Sequence, residues 1–279
     1  MSKILFSIFG LVIYASTASA LPLPRGIEVV PESFTQDYDF EGIVKLNNCS
    51  GSLVRFETSS DKDAALVITN GHCLELGMPK PGKVITKRQS DRTFRLMNSQ
   101  GEVKATLNAT EIIYSSMTKT DITIYKLEET YADIINKYSI RPFTLAKEHP
   151  TKNTSIDIVS GYWDRGYRCA IEEFAYQLKE AGWTFEDSIR YSRPGCETIG
   201  GTSGSPIIQT GTRNIIGINN TGNEDGDKCT MNNPCEIDAN GNVVFEKGWS
   251  YGQQTYWIYS CLDNNNNIDL TIAGCQLAH

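Results

Sequence analysis

Residues 200–206 read Gly200-Gly201-Thr202-Ser203-Gly204-Ser205-Pro206, a serine hydroxyl set in a tight glycine-rich turn. Glycine reaches backbone angles closed to other residues, so such a turn can aim neighbouring N–H groups at one point. The amides of Gly201 and Ser203 are placed to meet an oxygen that gains negative charge, with the Ser203 hydroxyl beside them as a nucleophile. A glycine- and serine-rich string alone is an ordinary loop. Its meaning depends on whether a base and a carboxylate are supplied elsewhere in the chain.

Both stand upstream. The run Ala65-Leu66-Val67-Ile68-Thr69-Asn70-Gly71-His72-Cys73 is an apolar strand ending in a small polar turn that presents an imidazole. Asp121 heads Asp121-Ile122-Thr123-Ile124-Tyr125-Lys126-Leu127, an alternating strand with a carboxylate at its mouth. An aliphatic hydroxyl is a weak nucleophile at neutral pH, so it needs a base within reach, and that base needs a third group to hold its tautomer. The chain has three histidines. His149 precedes a proline and His279 is the last residue of the chain, which leaves His72 as the candidate base.

The order His, Asp, Ser is that of the two-barrel serine proteases, and the chain resembles a chymotrypsin-fold, trypsin-like secreted serine endopeptidase. His72-Cys73 resembles the family's Ala-Ala-His-Cys element, Asp121-Ile122 its Asp-Ile-Ala-Leu element, and residues 201–206 its Gly-Asp-Ser-Gly-Gly-Pro element. The resemblance runs from residue 49 to about residue 260. It implies that Ser203 attacks the scissile carbonyl, that His72 carries its proton, that Asp121 orients and stabilises the imidazolium, and that the Gly201 and Ser203 amides form the oxyanion hole. It also implies a Cys49–Cys73 bridge clamping the histidine loop.

Two departures from the trypsin pattern bear on mechanism. Trypsin-type enzymes carry an aspartate before the nucleophile to capture a new N-terminal ammonium; here the residue is Thr202. Pro24-Arg25-Gly26-Ile27 offers a basic cleavage point, yet the oxyanion hole must form without that ion pair. The Thr-Ser-Gly-Ser-Pro string is closer to the bacterial glutamyl-endopeptidase branch. The second departure concerns the primary specificity pocket. Glu197 falls where trypsin has its pocket-floor aspartate, with Gly222 and Gly252 matching the wall glycines, and a carboxylate in an open slot favours a substrate Lys or Arg. The alternative is a Glu197 turned to solvent.

Residues 1–20 carry Lys3, an apolar run and Ala18-Ser19-Ala20, the pattern of a secretory signal peptide ahead of a peptidase domain over 21–279. All eight cysteines, 49, 73, 169, 196, 229, 235, 261 and 275, lie beyond it, and an even count in an exported chain argues for disulfides. Six cysteines besides the first pair allow fifteen connectivities. Sequential pairing, Cys169 with Cys196, Cys229 with Cys235 and Cys261 with Cys275, closes the shortest loops. Neither a zinc site nor any other cofactor is expected, since Cys-x-x-Cys spacing and a second nearby histidine are lacking. Asp225, Asp227, Asp263, Asn265, Asn267 and Asp269 are oxygen-rich, but the spacing departs from a calcium loop and reads as solvated turns.

A net charge of −7 with scattered Lys and Arg argues against a nucleic-acid or membrane partner. Protein or peptide substrates and a monomer are the expectation, in the periplasm or outside the cell. Short strands over 42–46, 52–56, 65–69, 93–96, 103–107 and 121–127 fit a first antiparallel barrel within about 27–130. Strands over 155–161, 205–209, 214–219 and 254–260, with a hairpin at Asp238-Ala239-Asn240-Gly241-Asn242, fit a second within about 142–279. The predicted fold is therefore all-β, two six-stranded antiparallel barrels. One short helix is predicted in the second half, over 171–181, where Ile171, Phe174, Ala175 and Leu178 fall at helical spacing before Gly182. The competing class is a protease-like binding protein that has lost turnover, but all three triad residues are in place.

Overall fold

The computed structural model describes residues 38–279; the expected leader and the Arg25–Ile27 cleavage point lie outside these residues. Seven strands come first: β1 (Ile43–Lys45), β2 (Ser50–Arg55), β3 (Ala64–Thr69), β4 (Val84–Gln89), β5 (Thr93–Met97), β6 (Val103–Ser116) and β7 (Ile122–Thr130). Six of them pair antiparallel in the ring β1-β5-β6-β7-β3-β2, which β2 closes on β1. β4 lies outside the ring, paired to β6.

Helix α1 (Tyr131–Tyr138) and strand β8 (Phe143–Leu145) follow. The second half contains β9 (Ser155–Ser160), β10 (Arg165–Glu180), β11 (Trp183–Tyr191), β12 (Pro206–Gln209), β13 (Asn214–Gly222), β14 (Cys235–Ile237), β15 (Val243–Val244) and β16 (Ser250–Gln254). The pairings β13-β12-β9-β10-β11-β16 again close, through β16 on β13, into six antiparallel strands. β8 runs parallel to both β2 and β13 and so joins the two rings. This is the chymotrypsin-like fold, with two six-stranded barrels.

The apolar run 65–68 is continuous, rather than alternating, because β3 is buried on both faces. Ala65 and Val67 point into the first barrel with Leu53, Phe94 and Leu107, while Leu66 and Ile68 point outward into a second apolar layer. That layer takes Ile208, Ile215 and Ile218 from the second barrel and Trp257 and Ile258 from a 3-10 helix, Tyr256–Cys261. Ile156, Ile158, Ile189, Ile207 and Ile216 fill the second barrel. Each fully buried Leu or Ile contributes about 1.5–3 kcal/mol relative to exposure, so the interlayer residues add to the stability that joins the two barrels.

Two local expectations are corrected. Residues 171–181 form no helix: they lie in the long strand β10, hairpinned to β11. A β-bulge between Ile171 and Glu173 inserts one residue against β11, and the strand then serves two cores. Ile171 and Phe174 pack in the second barrel, whereas Ala175 and Leu178 pack with Met117, Phe185 and Tyr251. Steps of three and four residues in a strand with two buried faces imitate a helical stripe. Likewise the strand predicted over 254–260 ends at Gln254, and the 3-10 helix takes its place.

The four disulfides pair sequentially: Cys49–Cys73, Cys169–Cys196, Cys229–Cys235 and Cys261–Cys275. Asp263 accepts hydrogen bonds from the Asn265 and Asn267 amides, an Asx-type turn inside the last of these loops. Among the described residues no helix is long and apolar enough to cross a membrane.

Candidate active site

The antiparallel register brings His72 and Asp121 together. β3 ends at Thr69 and β7 begins at Ile122, and Thr69 pairs with Thr123, so the residue just beyond one strand and the residue just before the other share a rim. His72 sits in a single 3-10 turn, Gly71–Cys73, directly behind β3. A Cβ on Gly71 would fall 2.8 Å from Asp121 Oδ1, so only glycine lets the turn lie this close. The Asn70 side-chain amide donates to the Asp121 carbonyl at 2.8 Å, and Cys73 ties the turn to Cys49 at the mouth of β2.

The Asp121 carboxylate is 1 % exposed and accepts two bonds from one residue: the His72 backbone N–H at 2.9 Å and ring Nδ1 at 2.6 Å. With Nδ1 carrying the proton toward Asp121, Nε2 keeps its lone pair for the cleft. Burial of the imidazole opposes its charged form, but the charge and hydrogen bond of Asp121 outweigh it, and Glu180 adds to them; the pKa of His72 is raised above its ordinary value.

Ser203 reaches the same cleft from the second barrel. The Ser50 amide, at the start of β2, donates to the Ser203 carbonyl at 2.8 Å. Gly204, at φ +77°, lies so close to the Ser50 carbonyl and Thr69 Oγ1 that a side chain would collide with both. His72, Asp121 and Ser203 line one cleft. The Ser203 hydroxyl donates to the Asn220 carbonyl at 3.4 Å, and among the described residues no hydrogen bond joins it to the His72 ring. The amides of Thr202, Gly204 and Ser205 are taken by carbonyls of Ile199, Asn219 and Thr202. Those of Gly201 and Ser203 have no acceptor among the described residues, which leaves both N–H groups for a ligand.

Of the residues expected for primary specificity, Gly222 lines the cleft. Glu197 is exposed, accepts from the Gly195 amide at 2.9 Å and faces an adjoining cavity with Lys247 and Ser250. Gly252 is packed inside the second barrel against Ile207 and the Tyr191 hydroxyl, outside the cleft lining. Three cleft features have no local sequence signal. Glu180, at the end of β10, is buried, accepts from the Asn232 amide at 2.7 Å, and has its pKa raised, chiefly by burial. Trp183 follows at the start of β11, its indole N–H donating to the Pro79 carbonyl at 2.9 Å. Glu224 adds a second, exposed carboxylate. The β10–β11 hairpin is fastened here by the Lys119 amide donating to the Thr184 carbonyl and the Glu186 amide donating to the Lys119 carbonyl.

The trypsin-like peptidase domain family matches residues 49–218, well over half of the chain. The chain belongs to the trypsin-like peptidases. Membership implies a protease, with peptides as its substrates. No curated protein matches the chain significantly. Solved structures similar to this trypsin-like peptidase include the MamO protease domain from Magnetospirillum magneticum, at 12 % identity with a TM-score of 0.49, covering 82 % of this chain and 100 % of that one. The Nocardiopsis protease is 14 % identical with a TM-score of 0.43, covering 77 % and 92 %. A serine protease specific for glutamic acid is 13 % identical with a TM-score of 0.39, covering 77 % and 91 %.

Proposed function

We propose that this trypsin-like peptidase is an exported serine endopeptidase that works through an acyl-enzyme on Ser203, with residues 1–20 as its leader. The observation that carries the reading is the buried Asp121 carboxylate bonded to His72 Nδ1 at 2.6 Å in the cleft that also holds Ser203. The mechanism requires the Ser203 hydroxyl to exchange the Asn220 carbonyl for His72 Nε2, a contact that commonly tightens only with substrate bound. Ser203 Oγ then attacks the scissile carbonyl while its proton moves to Nε2. Asp121 stabilises the imidazolium, and the free amides of Gly201 and Ser203 receive the oxyanion. Collapse returns the proton to the leaving amine, and water admitted to the same place releases the acyl group.

Substrate is held as an added strand. β13 pairs with β12 only as far as Ile218, while its other edge stays with β16 to Gly222. The free edge beside Asn220 and Thr221 suits an extended peptide. Glu180 and Glu224 line the cleft and, among the described residues, no Lys or Arg does, which supports a preference for Lys or Arg before the scissile bond. Glu197 adds its charge from the adjoining cavity. Profiling cleavage of a peptide library by the parent and by Ser203→Ala tests both parts. The parent should cut after Lys or Arg and the variant should not cut. Equal cleavage by both forms contradicts the serine mechanism, and cleavage after Glu or large apolar residues contradicts the preference.

A further inference from the structure

The oxyanion donor of Gly201 belongs to the Gly200–Gly201 peptide, and nothing in the mechanism above says what fixes the direction of that peptide. Thr202 rules out the aspartate-to-ammonium pair. Its side chain is fully buried and meets the Tyr167 hydroxyl at 3.4 Å, a neutral contact that anchors residue 202 and leaves the peptide two residues before the nucleophile undirected.

The other end of that peptide is engaged. The Trp163 indole N–H donates to the Gly200 carbonyl at 2.8 Å. In a planar trans peptide the C=O and the following N–H point in opposite directions. A donor that holds the Gly200 oxygen therefore turns the Gly201 N–H away from the indole, and that N–H has no acceptor among the described residues. Gly201 itself is at φ +88°, and a Cβ there would lie 2.9 Å from both Trp163 Nε1 and Tyr162 Cδ1, so glycine is required for the aromatic pair to press on the loop.

The turn that carries Trp163 is itself pinned. Lys45 Nζ meets Asp164 at 2.6 Å, and a Cβ on Gly161 would strike Ile43 and the Val44 carbonyl, so the β9–β10 turn rests on β1. The Tyr162 amide donates to Ser50 Oγ at 3.0 Å, Ser50 Oγ and Ser160 Oγ share a bond of 3.1 Å, and the Trp163 amide donates to Ser160 Oγ at 3.3 Å. Ser50 also donates its own amide to the Ser203 carbonyl. One polar cluster thus grips the nucleophile loop at both flanks, at Ser203 through Ser50 and at Gly200 through Trp163.

We propose that Trp163 is the positioning residue of the oxyanion hole, holding the Gly200–Gly201 peptide with its N–H directed at the developing oxyanion. The inference rests on the Ser203 reading above. It assigns to an indole N–H the work that an ion pair to the residue before the nucleophile does in trypsin-type enzymes.

The test compares the parent with Trp163→Phe and with a chain carrying benzothienylalanine at 163, an isostere of tryptophan whose ring sulfur cannot donate. Each is assayed on the peptide the parent cleaves fastest and on the aldehyde of that peptide, which binds as a tetrahedral oxyanion adduct. Removing one oxyanion donor lowers kcat about 100- to 1000-fold, so loosening its direction should lower kcat about 10- to 100-fold with KM within about twofold. Aldehyde affinity should fall by the same factor as kcat/KM. Should Trp163→Phe fail to fold, the isostere decides alone, because it keeps the ring contacts. Unchanged kcat and aldehyde affinity in the isostere, or a loss confined to KM, would overturn the proposal. A parent that neither cleaves peptides nor binds the aldehyde refutes the serine mechanism itself, and does so before any variant is compared.

Discussion

The His72 and Asp121 corner is fixed by strand register, a disulfide and a buried carboxylate, whereas the Ser203 loop hangs on a few hydrogen bonds from neighbouring turns. The corner is dictated by the Thr69–Thr123 register, closed by the Cys49–Cys73 bridge and completed by a carboxylate that bonds both the amide and the ring of His72. The loop 200–204 has left-handed glycines at 201 and 204 and is held by backbone bonds to Ser50 and Asn219 and by the Trp163 indole. The difference teaches where function is separable from folding. Changes at the corner strike chemistry and stability together, while changes at the loop can move kcat in a chain that still folds.

The sharpest way to break the comparison is Asp121→Asn. An amide in place of the carboxylate leaves His72 with the wrong tautomer, and peptide hydrolysis should fall about 10⁴-fold with KM little changed. A loss below tenfold would separate Asp121 from the chemistry. Removing the clamp with Cys49→Ser and Cys73→Ser together should lower unfolding free energy by about 2–4 kcal/mol, read by denaturant titration. Activity should fall with it, since His72 adjoins Cys73. Gly204→Ala places a side chain at positive φ against the Ser50 carbonyl and Thr69, for a loss of about 1–3 kcal/mol in the same titration. If that variant matches the parent in stability, the loop is not pressed on β2 and β3 as described.

The smallest expected effect is a pH shift. A catalytic base at His72, as proposed, must be neutral to act, and its pKa is raised because Asp121 and Glu180 outweigh the opposing effect of burial, so the acid limb of kcat/KM should lie above that of an ordinary histidine. Glu180→Gln removes one negative charge that favours the imidazolium. The His72 pKa then falls and the limb moves to lower pH; a limb that stays in place removes Glu180 from the electrostatics of the base.

His72 and Asp121 were legible because each stands at the end of an apolar strand, and antiparallel neighbours bring such ends together. The Cys49–Cys73 bridge was implied by the family resemblance, and the other three disulfides were legible as the shortest loops. The β10–β11 hairpin was not, since its bulge and its two cores gave Ile171, Phe174, Ala175 and Leu178 the spacing of a helix face. Helix α1 falls between the two predicted barrels, where no element was expected, although Thr130 and Asp133 form a reciprocal cap there and carry a signal that could have found it. Glu180 and Trp163 had no such signal. Each is an isolated residue at a hairpin end, and only the folding of β9, β10 and β11 over the cleft brings it to the site.

Reaction with a biotinylated fluorophosphonate across pH, followed by peptide mapping of the adduct, tests the central claim most directly. The account predicts one adduct, on the peptide containing Ser203, forming faster as His72 loses its proton, absent in Ser203→Ala and strongly slowed in Asp121→Asn. A folded parent that gains no adduct, or gains it at another residue, would contradict the assignment of Ser203, His72 and Asp121 as one catalytic unit.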